Sequence, residues 1–285
     1  MTRRMLVVVN PHRPDAAHAG DVVTRVLEAD GIEVCRDYNR GIDKPIEAAV
    51  VLGGDGTMLH AAALTYGTGI PLLGVNLGHV GFLAELERDE LTDAVARLVA
   101  GEYTTEERRT LEVSVIHADG SVESGWALNE AALERAELLR SVEIAVEVDG
   151  RPVSTFGCDG VVVATATGST AHAFSAGGPV LWPNVDALLF VPLAAHALFA
   201  RPLVVGPDSY FALEVTLRSE APALVVFDGA RSIDVERGAR VEIRRGQHTV
   251  RLARLSDAPF TERLVQKFSL PINGWRGERG TGADG

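Results

Sequence analysis

The chain has 285 residues, with 27 Lys and Arg against 39 Asp and Glu, a formal charge of −12 and a pI near 5.1. A surface that acidic argues against general electrostatic adhesion to nucleic acid or to an anionic membrane, since both depend on cationic patches. The hydrophobic fraction of 46% and charged fraction of 23% exclude a disordered chain, and a chain this long buries roughly three quarters of its unfolded surface without staples.

Two cysteines, Cys35 and Cys158, stand far apart with no CxxC. That excludes a disulfide scaffold and a cysteine zinc site, and suits a reducing compartment. The apolar run Met5–Val9 stops at Asn10-Pro11, too short for a signal-peptide core. The longest apolar stretch, Ala187–Ala200, contains Pro192 and His196 and is shorter than the ~20 residues of a membrane span. A soluble, cytoplasmic protein is expected, with no nucleic-acid or membrane partner.

In chain order, Leu6–Val9 reads as a parallel strand covered on both faces. Val22, Val23, Val26 and Leu27 form one stripe of a helix that Gly31 ends. Ala49–Leu52 is a second buried strand, closed by Gly53-Gly54-Asp55-Gly56-Thr57, and Met58–Tyr66 reads as helix. Pro71–Val75 is a third strand, and Asp89–Ala100 a helix with Asp89 at its N-cap and Gly101 beyond. This alternation predicts a parallel sheet. From about Leu111 the pattern becomes strand-turn-strand. Alternating runs end at Asp119-Gly120, Asp149-Gly150 and Asp228-Gly229, each a hairpin signal, and Val241–Arg244 and Val250–Leu252 continue the series.

The predicted fold is an α/β N-terminal domain with a parallel sheet plus a β-rich, β-sandwich-like C-terminal domain. The expected boundaries are 1–105 for the α/β nucleotide-binding domain, with 258–276 packing back on it, 106–257 for the β-rich domain, and 277–285 as a disordered tail. Within that tail Gly280–Gly285 matches GxGxxG, but no strand precedes it and no helix can follow, so the match carries no dinucleotide fingerprint. No GxxxxGK[ST], HExxH or GxSxG occurs.

Gly53-Gly54-Asp55-Gly56-Thr57 sits at the C-terminal end of an inferred parallel strand and opens a helix, where unpaired N–H groups and the helix dipole favour phosphate. Glycines let the backbone approach an anion without a Cβ in the way. An acid among phosphate-binding amides points to a proton acceptor or a partner of Mg²⁺, although a helix-capping turn has the same letters. A second loop follows Asp159-Gly160 and the strand Val161–Val163. Its run of small hydroxyls and glycines, Thr165–Pro179, either packs its backbone against a ligand or is an ordinary connection.

Five blocks resemble the NAD kinase family: Gly53–Thr57, Leu73–Leu83, Asn129-Glu130, Asp159-Gly160 through Ala171, and Ser175–Pro179. The stretch from Ala258-Pro259-Phe260-Thr261 to Trp275 is similar to the actinobacterial branch. The resemblance implies transfer of phosphate from ATP or polyphosphate, with Mg²⁺, to the 2′-hydroxyl of the adenosine ribose of NAD. It implies Asp55 as proton acceptor, and Gly53, Gly54, Asp55, Gly56, Thr57, His60 and Phe82 around the nucleotides. Asn129 and Glu130 would grip the ligand, Asp159 would lie near the nicotinamide end, and Thr170, Ala171, His172, Ala173, Phe174 and Ser175 would line the nucleotide. No metal-ligating side chains are assigned. It also implies a homodimer or homotetramer, with the site in the cleft between the domains.

Two departures stand out. His172 occupies a position where the family commonly has Tyr, and Ala166 one where it usually has Pro; altered nucleotide contacts are expected. GGDGT also occurs in diacylglycerol-type lipid kinases, and a non-catalytic NAD-sensing paralogue is a further alternative. His196 reads as structural, and the arginines Arg237, Arg240, Arg244, Arg245, Arg251 and Arg254 as a solvated face. Trp126, Trp182 and Trp275 read as packing residues.

Overall fold

The computed structural model of the chain describes residues 3–10, 13–38, 45–78, 81–84, 86–256 and 258–272. Trp275 and the 277–285 tail, with its GxGxxG match, lie outside the described residues, as do His79 and Val80. The backbone divides into two units. One comprises the described residues of Met1–Thr65, Ile70–Glu106 and Leu252–Gly285, the other Tyr66–Gly69 and Glu107–Arg251.

The first unit opens with β1 (Arg4–Val9), α1 (Pro14–Ala29), β2 (Glu33–Cys35), β3 (Ala48–Leu52), α2 (Asp55–Thr65), β4 (Leu72–Asn76), β5 (Leu86–Glu87), α3 (Leu91–Ala100) and β6 (Thr104–Arg108). β1 lies between β2 and β3, and β4 extends the sheet with β5 beside it, all parallel. Helices on both faces make β3 apolar at every position. Val50 and Leu52 pack with Val23 and Leu27 of α1 and Val95 and Leu98 of α3. α2 covers the opposite face, where a Cβ on Gly74 would lie 2.7 Å from the Met58 sulfur.

The helix expected from Asp89 begins differently. A 3-10 turn spans Arg88–Glu90 and α3 starts at Leu91, preceded by Glu90 in helical backbone geometry without a side-chain cap bond. Asp89 is therefore not the N-cap: the tight turn keeps the chain helical there, whereas a capping side chain needs extended backbone. Gly31 (φ +71°) and Gly101 (φ +75°) adopt the left-handed geometry expected past their helices.

The second unit contains β7 (Leu111–Ile116), β8 (Val122–Ala127), β9 (Glu130–Arg135), β10 (Val142–Val148), β11 (Arg151–Cys158), β12 (Gly160–Ala164) and the single turn α4 (His172–Ser175). β13 (Leu188–Leu193), β14 (Leu203–Val205), β15 (Tyr210–Val215), β16 (Ala223–Phe227), β17 (Arg231–Val235) and β18 (Arg240–Arg245) follow. They form two antiparallel sheets, ordered β11-β10-β15-β18-β7-β8 and β14-β13-β12-β9-β16-β17. Alternate residues of the two sheets meet in one core that includes Val113, Ile144, Phe211, Leu133, Val161, Val163 and Phe190. The other face of β12 offers Val162 and Ala164 to Ala173 of α4. Burial on both faces explains the uninterrupted apolar run of that strand.

Of the three Asp-Gly signals, Asp149-Gly150 is the two-residue turn, both residues with positive φ, between paired Val148 and Arg151. Asp228-Gly229 also has positive φ at both residues but needs Ala230 before Arg231 pairs. Asp119-Gly120 lies in a longer loop between Ile116 and Val122.

The chain then returns to the first unit as β19 (Val250–Arg254) and α5 (Phe260–Phe268). β19 was expected to continue the antiparallel series. Instead Leu252 pairs with Leu72 in parallel, and Ala253 and Leu255 join the first unit's core. No described helix is long and apolar enough to cross a membrane.

Candidate active site

In the first unit, the end of β3 turns into α2 through Gly53, which has φ +154° and whose Cβ would fall 2.2 Å from the Thr57 hydroxyl. Thr57 is buried, and its N–H and that of Met58 bond to the Gly54 carbonyl. Gly54 and Gly56 have open space where a Cβ would project, so the backbone is accessible there. Asp55 is the first residue of α2 and is half-buried, while His60 is exposed one turn on.

The Asp55 carboxylate does not cap its own helix. Its Oδ2 accepts the Phe82 N–H at 3.0 Å and its Oδ1 the Leu83 N–H at 3.0 Å. The approach depends on Gly81, whose Cβ would lie 2.2 Å from Oδ1. Phe82 is buried at 6% exposure, so its backbone and not its ring faces the acid.

In the second unit, Asn129 and Glu130 are buried at the start of β9. Asp228 accepts N–H groups from Leu128, Asn129 and Glu130 at 3.0, 2.7 and 3.3 Å. Arg231 donates to Asp228 at 3.2 Å and to the Trp126 carbonyl at 2.9 Å. Thr165 ties the next strand in, donating its hydroxyl to the Leu128 carbonyl at 2.7 Å.

This frame leaves Asn129 Oδ1 and Glu130 Oε2 buried with no partner, although such atoms are normally satisfied. Burial, reinforced by the Asp228 charge and opposed by the His172 N–H, pushes the Glu130 carboxyl up to about 8. Burial also pushes Asp228 upward. A carboxyl held neutral beside an open amide oxygen can donate and accept hydrogen bonds toward a polar ligand.

β12 pairs with β9 so that Ala164 faces Glu130 and Gly160 faces Glu134. The Glu130 carboxyl accepts the backbone N–H of His172 in α4, while Asp159 lies at the opposite end of β12, bridged to Arg135 at 3.0 Å. Thr170, Ala171 and His172 are half-buried, Ala173 is fully buried against β12, and Phe174 and Ser175 are exposed. His172 Nδ1 lies 3.9 Å from Glu134.

Other expectations are corrected by burial. Arg254 is only 6% exposed, bonded to Glu106 at 2.7 Å and to the Leu83 carbonyl at 3.2 Å, so it is not on a solvated face. Arg240, Arg244, Arg245 and Arg251 do form surface ion pairs. Trp126 packs, stacked 3.7 Å from Tyr66 with Arg231 4.5 Å above its ring, whereas Trp182 is 44% exposed. His196 is exposed. Sequence reading missed Asp228 and Arg231, because Asp-Gly was read only as a turn.

An acid clasped by amides on a parallel-sheet unit, and a β-sandwich bearing a buried Asn-Glu pair, define a phosphotransferase of the GGDGT class. The family model for the ATP-NAD kinase N-terminal domain matches residues 33–103, and that for the ATP-NAD kinase C-terminal domain residues 128–255. The chain belongs to the NAD kinase family. The NAD kinase of Leifsonia xyli subsp. xyli is 51% identical over 298 residues, covering 98% of each chain. NAD kinase 2 of Streptomyces coelicolor is 49% identical, covering 96% of this chain and 97% of that one.

Two solved structures share the fold. Yeast NADH kinase complexed with NADH superposes with a TM-score of 0.86 at 20% identity, covering 95% of this chain and 88% of that one. An NAD kinase from Archaeoglobus fulgidus in complex with ATP gives 0.74 at 24% identity, covering 95% and 100%. Family membership selects NAD kinase over the lipid-kinase alternative.

Proposed function

We propose that the chain phosphorylates the 2′-hydroxyl of the adenosine ribose of NAD, forming NADP, with ATP or polyphosphate as donor. Asp55 accepts the hydroxyl proton as phosphorus arrives. A ribose hydroxyl is a weak nucleophile, so a carboxylate within hydrogen-bond reach removes its proton in the transition state. The remainder of the barrier falls to alignment and to neutralising charge on the transferring oxygens. The observation that carries this reading is the Asp55 carboxylate, fixed by two amides beside the open backbone of Gly54 and Gly56.

Gly53, Gly54, Gly56, Thr57, His60 and Phe82 are assigned to the nucleotide-binding surface of the first unit. Asn129, Glu130, Asp159 and Thr170 to Ser175 are assigned to NAD in the second; the unpartnered Asn129 and Glu130 oxygens support this. The domain assignment is 1–105 with 258–276, and 106–257; the break at Glu106/Glu107 supports the first boundary, whereas the break at Arg251/Leu252 groups 252–257 with the first unit.

Among the described residues no three His, Cys, Asp or Glu side chains converge as a metal cage. Mg²⁺ is assigned to the donor phosphates, as part of that substrate. The buried thiols Cys35 and Cys158 support a reducing cytoplasm. Exposed Leu198 and Phe199, adjacent in the chain, support a homodimer or homotetramer.

The test is NADP formation with ATP-Mg²⁺ and with polyphosphate, for wild type and Asp55→Asn. Wild type turns over, and the variant is slower by ~10²–10⁴-fold. NAD binding without NADP formation by wild type would favour the sensing paralogue, and an active Asp55→Asn would remove the base.

A further inference from the structure

We propose that the C-terminal helix α5 positions the catalytic acid: Phe260 and Phe268 clamp Phe82, and so fix the two amides that hold the Asp55 carboxylate. The inference rests on the reading of Asp55 as proton acceptor.

The residues 81–84 belong to no helix or strand, so regular backbone pairing does not order them. Three contacts do. The Phe82 and Leu83 N–H groups bond to Asp55, the Leu83 carbonyl accepts from buried Arg254 just before α5, and the Phe82 ring neighbours two rings of α5. Its centroid is 5.6 Å from that of Phe260 and 5.8 Å from that of Phe268, within the range of favourable aromatic pairing.

Phe260 and Phe268 stand eight residues apart with Leu264 and Val265 between, one apolar face of an otherwise polar helix. A helix of nine residues is below the ~12–15 needed for stability alone, and the apolar face of α5 is half-buried, with Phe260 and Phe268 against Phe82. Gly81 makes the clasp tight, since a Cβ there would overlap Asp55 Oδ1. Carboxylate, amides, Phe82 ring and helix therefore form one continuous chain of contacts. Loosening its far end releases the orientation of the near end without removing any group that touches substrate.

The experiment is steady-state NADP formation by the full chain at saturating ATP-Mg²⁺, with folding checked by circular dichroism. Phe260→Ala/Phe268→Ala lowers kcat ~10–10²-fold while KM for NAD stays within about twofold, because substrate contacts are intact. Phe260→Leu/Phe268→Leu keeps bulk against Phe82 and recovers most of the loss; it also serves as the informative variant if the alanine pair does not fold. In an Asp55→Asn background the same changes lower kcat by less than about twofold further, since both act through one carboxylate.

An equal loss in both backgrounds, or a raised KM with unchanged kcat, overturns the positioning role and leaves the base intact. Full activity of Asp55→Asn alone overturns the base.

Discussion

The Asp228 carboxylate lies 2.7 Å from the N–H of Asn129, a residue 99 positions earlier in the chain, and organises the Asn-Glu pair without belonging to it. Leu128 and Glu130 donate to the same carboxylate, and Arg231 closes its open side. Removing this acceptor strands three backbone donors in a buried strand start.

Asp228→Ala should therefore destabilise the protein by about 2–4 kcal/mol, and Asp228→Asn, which keeps one acceptor oxygen, by roughly half as much. Urea unfolding followed by circular dichroism measures both. Equal stability of wild type and Asp228→Ala would show that the turn holds Asn129 and Glu130 without the carboxylate.

Glu130 gives the protein a pH dependence of defined sign. Its carboxyl is near 8 in the fold against an ordinary 4.5, so between those values the folded state keeps a proton that the unfolded chain has released. Stability from this group is present below about pH 4.5 and is lost as pH rises through about 8, with a slope of up to ~1.4 kcal/mol per pH unit. Glu130→Gln, which mimics the protonated form, removes that slope and raises Tm at pH 8.5. Scanning calorimetry from pH 5 to 9 tests it; parallel curves for the two proteins would contradict it.

His172 is bonded to Glu130 only through its backbone N–H, and its ring stands half-buried beside Glu134. A larger aromatic ring can replace the imidazole without disturbing Glu130. His172→Tyr should lower KM for NAD by ~2–10-fold through added ring contact, with kcat little changed. Initial-rate kinetics decide, and an unchanged or raised KM counts against a nucleotide-facing side chain.

Leu198 is fully exposed and Phe199 is 55% exposed. If a second copy of the chain covers them, Phe199→Glu places an unpaired charge in that contact. Light scattering should then report a smaller assembly than wild type. An unchanged mass would exclude this patch from the interface.

Local patterns in the amino-acid sequence reached the strands and much of the site. Asp149-Gly150 marked its hairpin because two positive φ values suit those residues, and the apolar run of β12 announced burial on both faces. Gly53–Thr57 exposed the acid and its glycines for the same reason: the chemistry lies within five consecutive residues. Asp89 failed as a cap because the choice between a 3-10 turn and an α-helical start was not written in its letters.

What only the folded chain decided came from contacts between distant segments. Whether Val250–Leu252 paired antiparallel or joined Leu72 in parallel depended on which core Ala253 and Leu255 entered. The solvated arginine series lost Arg254 because Glu106 and the Leu83 carbonyl await it in the interior. Asp55 was legible as an acid, but not its hold on the amides of Phe82 and Leu83, nor the packing of Phe82 against α5. Periodicity and turn chemistry act over a few residues and are written in the sequence. The partner of a buried polar group is set by three-dimensional proximity, which no local pattern encodes.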